Sequence, residues 1–281
     1  MGRESKSAYD ASMVAFAQQY GPWALISGAS SGIGASFAEN LARRGLSLAL
    51  VARRKSRLQA LAQRLQAEHG AECLVLPEDL LNPVAPQRLQ EAMAGREIGL
   101  LVNNAGYGGL GAFEQQDFAT LRNMVRLNCE AVLALAHHFV PPMVERGRGG
   151  MVMVASVAGM LPCPWMSVYG ATKAFDLQLG EALHVELKPK GVDVVTVCPG
   201  HTASEFHQIA GVHGPVPGRE AQPEEVVALA LSKLGKGNST VEGLQNKILA
   251  NAPRFFPRSW TAAVSGKVLA KRLEHLPDSK A

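Results

Sequence analysis

Residues 23–43 read WALISGASSGIGASFAENLAR, and this stretch decides the fold. Trp23 to Ile26 make a short apolar run suited to a buried strand, and beyond Gly34 the residues Phe37, Leu41 and Ala42 share one face of a helical pattern. Between the two lie Ser27, Gly28, Ala29, Ser30, Ser31, Gly32, Ile33 and Gly34, so the context is strand, glycine loop, helix. Glycines at such a junction let the backbone turn tightly and approach a pyrophosphate, and the amides of the helix N-terminus face negative charge. The spacing is Gly-x-x-x-Gly-x-Gly, a departure from the usual Gly-x-Gly-x-x-Gly of dinucleotide folds. A glycine-rich turn holding no ligand would carry the same letters; the flanking strand and helix favour a ligand.

Outward from this stretch, strand and helix patterns alternate. Leu46 to Ala52, Ala71 to Leu76, Gly99 to Val102, Met151 to Ala155, Val192 to Val197 and Thr240 to Gly243 read as strands, with helical patterns between them. Alternation of this kind predicts an α/β fold, a doubly wound parallel sheet with helices on both faces. At 281 residues, with 47% hydrophobic and 19% charged residues, the chain is long enough to bury a large core as one domain. Residues 1–22 read as an N-terminal extension, 23–243 as the sheet domain, and 244–281 as a basic amphipathic extension.

Composition excludes several classes of partner. A net charge of +4 suits anionic ligands, but no basic run in the sheet region carries interleaved aromatics and no zinc-finger spacing occurs, so neither nucleic acid nor metal is expected. Cys73, Cys129, Cys163 and Cys198 are scattered without a Cys-x-x-Cys pair, which reads as a reduced, cytoplasmic chain. Arg3, Glu4, Lys6 and Asp10 interrupt any signal-peptide core, and no apolar run is long enough to span a bilayer. Ala8 to Gln19 reads as a helix leaning on the domain and ended by Gly21 and Pro22.

A second informative stretch runs from Met151 to Lys173. The apolar run Met151 to Ala155 ends at Ser156, and strand ends are where open α/β sheets place their ligands. Tyr169 and Lys173 are four apart, so on a helix both side chains leave one face a turn from each other. An ammonium that close favours the phenolate and is expected to lower the phenol pKa toward working pH, as general acid/base chemistry requires.

With both motifs in order, the chain resembles the short-chain dehydrogenase/reductase family over about Trp23 to Gly243. The resemblance implies a single Rossmann domain, with Ser156, Tyr169 and Lys173 catalytic and Asn128 in a proton relay behind the lysine. It also implies that the cofactor lies along Gly28, Ser30, Ser31, Gly32, Ile33 and Gly34. Asp79 and Leu80 would border the adenine, Asn104, Ala105 and Gly106 would leave it room, and Tyr169 and Lys173 would meet the ribose. Pro199, Gly200, Thr202 and Ser204 would then shape the nicotinamide pocket, Ser204 standing where threonine is commoner.

Cofactor choice follows from the second strand. Folds that prefer NAD place an acidic residue about twenty positions beyond the glycines; here Arg53, Arg54 and Lys55 follow the strand. Guanidinium groups bind a 2′-phosphate in a bidentate, charge-assisted way, so NADP is expected.

Phe118, Leu121, Val125, Asn128, Val132, Leu135 and Phe139 recur at intervals of three and four, predicting one helical stripe with a single asparagine in an apolar face. His137 and His138 diverge around that helix and read as surface residues. The loop Val157 to Met166, rich in proline and apolar bulk, either walls an apolar substrate pocket or packs on the sheet or a sister subunit. The stretch from about 204 to 222, with His213 among prolines and glycines, suits a lid. In the tail, Arg254, Arg258, Lys267, Lys271 and Arg272 alternate with Phe255, Phe256, Trp260, Val264, Val268 and Leu273, a pattern for weak contact with an anionic membrane surface or for packing on protein. The expected activity is NADP(H)-dependent interconversion of an apolar carbonyl compound and a secondary alcohol, in a homodimer or homotetramer paired through the helices of Phe139 and Phe175. A cofactor-binding protein without chemistry is the rival reading.

Overall fold

The computed structural model describes residues 13–210 and 219–273. Residues 13–20 form helix α1, closed where the Gly21 amide donates to the Ala17 carbonyl at 2.8 Å. Seven strands follow: β1 (Trp23–Ser27), β2 (Ser47–Ala52), β3 (Cys73–Pro77), β4 (Ile98–Asn103), β5 (Gly149–Val154), β6 (Val192–Cys198) and β7 (Ser239–Val241). They lie parallel in the order β3-β2-β1-β4-β5-β6-β7. The order reverses between β1 and β4, and the crevice beyond the carboxyl ends of those strands is where such sheets bind ligands. The chain therefore has the Rossmann-type doubly wound sheet that its strand and helix pattern predicts.

Two apolar layers sandwich the sheet. On one face α2 (Gly32–Arg43), α3 (Lys55–His69) and, beyond the short α8 (Phe206–Ile209), α9 (Pro223–Lys233) bury Phe37, Leu41, Leu58, Leu65 and Val226. On the other, α4 (Ala85–Ala92), α6 (Ala131–Arg146) and α7 (Ser167–Leu187) bury Leu89, Leu135, Phe139, Met143 and Leu187. Full burial of a Leu or Phe side chain stabilises by about 1.5–3 kcal/mol, so these layers hold the strand ends in place.

The helical stripe departs from expectation in its first half. Helix α5 (Phe118–Val125) and α6 are joined by a π turn, Arg126–Glu130. An inserted π turn rotates the inward face, so the stripe does not run straight through. Phe118 is 74% and Val125 45% exposed, while Leu121, Met124, Asn128, Val132, Leu135 and Phe139 are buried. Phe139 itself is part of this domain's own core; Phe175, at 36%, is the exposed member of the two.

The tail forms α10 (Leu244–Phe255) and α11 (Arg258–Leu273), which fold back over the carboxyl end of the sheet. Ala250 joins a buried cluster with Ala155, Leu177, Cys198 and Val241. The Trp165 indole donates to the Gly266 carbonyl at 3.2 Å, and the Ser265 hydroxyl to the Pro162 carbonyl at 2.7 Å. Of the two readings of the tail, packing on its own domain is the one these contacts realise. Among the described residues no helix is long and apolar enough to cross a membrane. Residues 8–12 of the expected first helix, the proline- and glycine-rich stretch 211–217 with His213, and residues 274–281 lie outside the described residues.

Candidate active site

The ends of β1 and β4 are tied together by one hydroxyl. Ser27 Oγ donates to the Val102 carbonyl at 3.2 Å and accepts from the amides of Asn104 and Ala105 at 2.9 and 3.0 Å, and Asn104 Nδ2 donates to the Ser27 carbonyl at 2.9 Å. Above this tie the glycine loop turns with Gly28 at φ +69°, a conformation that favours glycine. A side chain at Gly34 would run into the Gly28 carbonyl, so this glycine lets α2 sit directly against the loop. Gly28, Ser30, Ser31, Gly32 and Ile33 line a cleft of about 1010 Å³, and Gly34 stands behind it.

At one end of the cleft are cations. Arg54 donates to Ser30 Oγ at 2.8 Å and Ser31 Oγ at 2.9 Å, and Arg53 lines the same wall. Glu205 also reaches this corner: Arg54 Nη1 lies 2.8 Å and Arg57 Nη1 2.5 Å from its carboxylate. The Arg57 and Arg54 hydrogen bonds hold the Glu205 carboxyl down at about 2, well below the usual range. Nothing local in the sequence connects Arg57 with Glu205, which stand 148 positions apart. Asp79 and Leu80 line the next part of the wall; Leu80 is buried, and Asp79 Oδ1 accepts from the Leu81 amide at 3.1 Å. Asn104, Ala105 and Gly106 form the floor, and Pro199, Gly200, Thr202 and Ser204 the far side.

Ser156, Tyr169 and Lys173 meet in the middle. All three are buried and line the cleft, and the Ser156 hydroxyl is near enough to the Tyr169 phenol to favour its ionised form. Ser156 Oγ also donates to the Pro199 carbonyl at 3.4 Å. Lys173 Nζ donates to the Val154 carbonyl at 2.8 Å and to Asp176 Oδ2 at 2.9 Å. The electrostatics differ from the sequence expectation. Burial pushes the Tyr169 phenol above its ordinary pKa, outweighing the lowering by Lys173 and Ser156, and Asp176 works in the same direction as burial. Burial works against the Lys173 ammonium too, but attraction to Asp176 and Tyr169 more than offsets it and leaves its pKa raised.

Asn128 stands behind the wall, fully buried in the π turn. Its Oδ1 accepts from the Tyr107 amide at 3.1 Å, and its Nδ2 donates to the Tyr107 carbonyl at 2.9 Å and Thr172 Oγ1 at 3.0 Å. A carbon attached to Gly106 would lie 3.1 Å from Asn128 Oδ1 and 3.5 Å from Lys173 Nζ, so the bare glycine keeps a small space open between amide and ammonium.

The cleft widens past Tyr169 into an apolar chamber. Leu161, Met166 and Phe206 wall it on one side, and Phe206 packs its ring 5.1 Å from that of Tyr169. Leu249, Trp260, Val264 and Val268 of α10 and α11 wall the other and remain 41–50% exposed. Arg219 lines this chamber, but its guanidinium is paired with Glu225.

These observations define a class of protein. The family model described as short chain dehydrogenase matches residues 22–211, and the chain belongs to that family of oxidoreductases. The 7beta-hydroxysteroid dehydrogenase of Clostridium sardiniense is 32% identical over 254 residues, 90% of this chain and 97% of that protein. Among solved structures, a short-chain dehydrogenase from Sphingobium yanoikuyae in complex with NADPH superposes with a TM-score of 0.76 at 36% identity, covering 92% of this chain and 98% of that one. The bulky-bulky ketone specific alcohol dehydrogenase of Comamonas testosteroni gives 0.72 at 33% identity, covering 93% and 97%.

Proposed function

We propose that this chain is an NADP(H)-dependent oxidoreductase that interconverts a bulky, apolar ketone and the corresponding secondary alcohol. The observation that carries the reading is the convergence of Ser156, Tyr169 and Lys173 on one cleft whose far corner presents Arg53 and Arg54. The residues fit the cofactor: a tight glycine turn, a small-residue floor and guanidinium groups beside two hydroxyls suit a pyrophosphate, a ribose and a 2′-phosphate. Bound there, the nicotinamide supplies hydride donor and acceptor chemistry.

The chain's own residues supply the rest. Ser156 and the Tyr169 hydroxyl orient the carbonyl oxygen, and the phenol, protonated through neutral pH because burial raises its pKa, gives that oxygen its proton. Lys173 has an N–H left over from Val154 and Asp176 for a ribose hydroxyl. Protons return to Tyr169 through Lys173 and the space beside Gly106 toward Asn128. Asp79, Leu80, Pro199, Gly200, Thr202 and Ser204 frame the cofactor.

The apolar chamber sets the substrate class. Leu249, Trp260, Val264 and Val268 offer hydrocarbon to the substrate, and the paired Arg219 leaves little to attract a carboxylate. The relatives named for hydroxysteroids and bulky ketones point the same way. Subunit pairing, to a homodimer or homotetramer, belongs to the same reading and would use the exposed Phe113, Phe118, Val125 and Phe175. Oxidation of NADPH against a panel of steroid, aryl-alkyl and short-chain ketones tests the proposal. Turnover with the bulky ketones and NADPH, falling in Tyr169→Phe, is the expected result; near-normal turnover in that variant would remove the assignment.

A further inference from the structure

Asp176 has no place in the mechanism so far, and its situation is unusual. It follows Lys173 by one turn of α7, so Tyr169, Lys173 and Asp176 stand in line on one helix face. Asp176 is 2% exposed; its Oδ2 takes the Lys173 ammonium at 2.9 Å, and its Oδ1 has no hydrogen-bond partner among the described residues. Burying a carboxylate with one oxygen unmet is costly, and an aliphatic side chain could pack there without that cost. The ammonium it holds is the one that faces the phenol.

We propose that Asp176 is the positioning residue for Lys173: it anchors the ammonium beside the Val154 carbonyl and offsets its charge where it faces Tyr169, tilting the site toward donating a proton. The proposal rests on the acid/base reading of Tyr169. Three cysteines also lie near the line. Cys129 on the π turn and Cys198 at the end of β6 have thiols pushed up by burial to about 11 and about 12. Cys163, from the loop after β5, raises the phenol less than Asp176 does, and Ser156 is a neutral hydroxyl that lowers it. Lys173 and Asp176 are the charges that act most strongly on Tyr169, ahead of Cys163. With both present the phenol faces a nearly neutral pair; with the carboxylate gone it faces a bare cation.

The test titrates the phenol directly. Near-ultraviolet tyrosinate absorbance of the NADP-bound protein, minus that of Tyr169→Phe, isolates residue 169 and needs no substrate. In Asp176→Asn the midpoint should fall by about one pH unit, and the alkaline limb of ketone reduction should move down with it. Asp176→Glu, which keeps the charge, should hold the midpoint near wild type and serves if the asparagine variant does not fold. An unmoved or raised midpoint in Asp176→Asn, or a lowered one in Asp176→Glu, would overturn the proposal. Failure of every ketone to turn over, with the midpoint still displaced, would instead strike at the function proposed above.

Discussion

The two ends of the cleft are built by different means. At the cofactor end the wall is mostly backbone and short polar side chains, closed by contacts among strand ends adjacent in the sheet, such as the Ser27 tie between β1 and β4. At the substrate end it is apolar side chains brought from distant sequence, the loop after Ser156 and the two last helices. A wall of backbone can hold one ligand shape in a narrow range; a wall of side chains can be recut one residue at a time. On the proposed function, nucleotide binding and substrate choice should therefore be separable in this molecule.

Substitutions can break or sharpen that contrast. Between the two ends, Tyr169→Phe should lower the rate of ketone reduction by about a hundred- to ten-thousandfold, measured as NADPH oxidation, while NADPH still binds. In the unaltered protein, reduction should hold through neutral pH and fall only as the phenol ionises, because burial favours the neutral form; alcohol oxidation should rise over the same range. At the cofactor end, Arg54→Ala should raise the KM for NADPH about ten- to a hundredfold and that for NADH much less, the loss expected for charge-assisted hydrogen bonds. At the substrate end, Val264→Trp should lower the ratio of kcat/KM for a bulky over a small ketone by about tenfold. A change in NADPH affinity as large as the change in that ratio would show the two ends to be coupled. The smallest effect belongs to Glu205→Gln. Removing a carboxylate from Arg54 and Arg57 should lower the KM for NADPH about two- to threefold, as suits an ion pair this open to solvent.

Legibility in the sequence follows the same division. The glycine loop, Ser156, Tyr169 and Lys173 are read from spacing because each sits at a strand end or on one helix face, where local periodicity dictates direction. The first six strands are visible as apolar runs for the same reason, and β7 as a short stretch beside them. Phe118 and Val125 mislead because a π turn leaves no mark on a pattern of threes and fours. The direction of the Tyr169 shift is misjudged because a sequence shows the neighbouring lysine but neither the depth of burial nor the carboxylate behind it. Leu161 and Met166 belong to the loop whose bulk reads as one possible pocket wall, but the walls that α10 and α11 add are missed, since basic and apolar alternation looks alike whether it faces lipid or a cavity.

The strap between the loop after β5 and α11, made by Trp165 with Gly266 and Ser265 with Pro162, has an evolutionary side. None of its four residues belongs to the glycine loop or to the arginine corner. Exchange of α11 among descendants would therefore redirect such a scaffold to new compounds while the inherited nucleotide grip passes on intact, a form of modularity written into where the chain crosses itself.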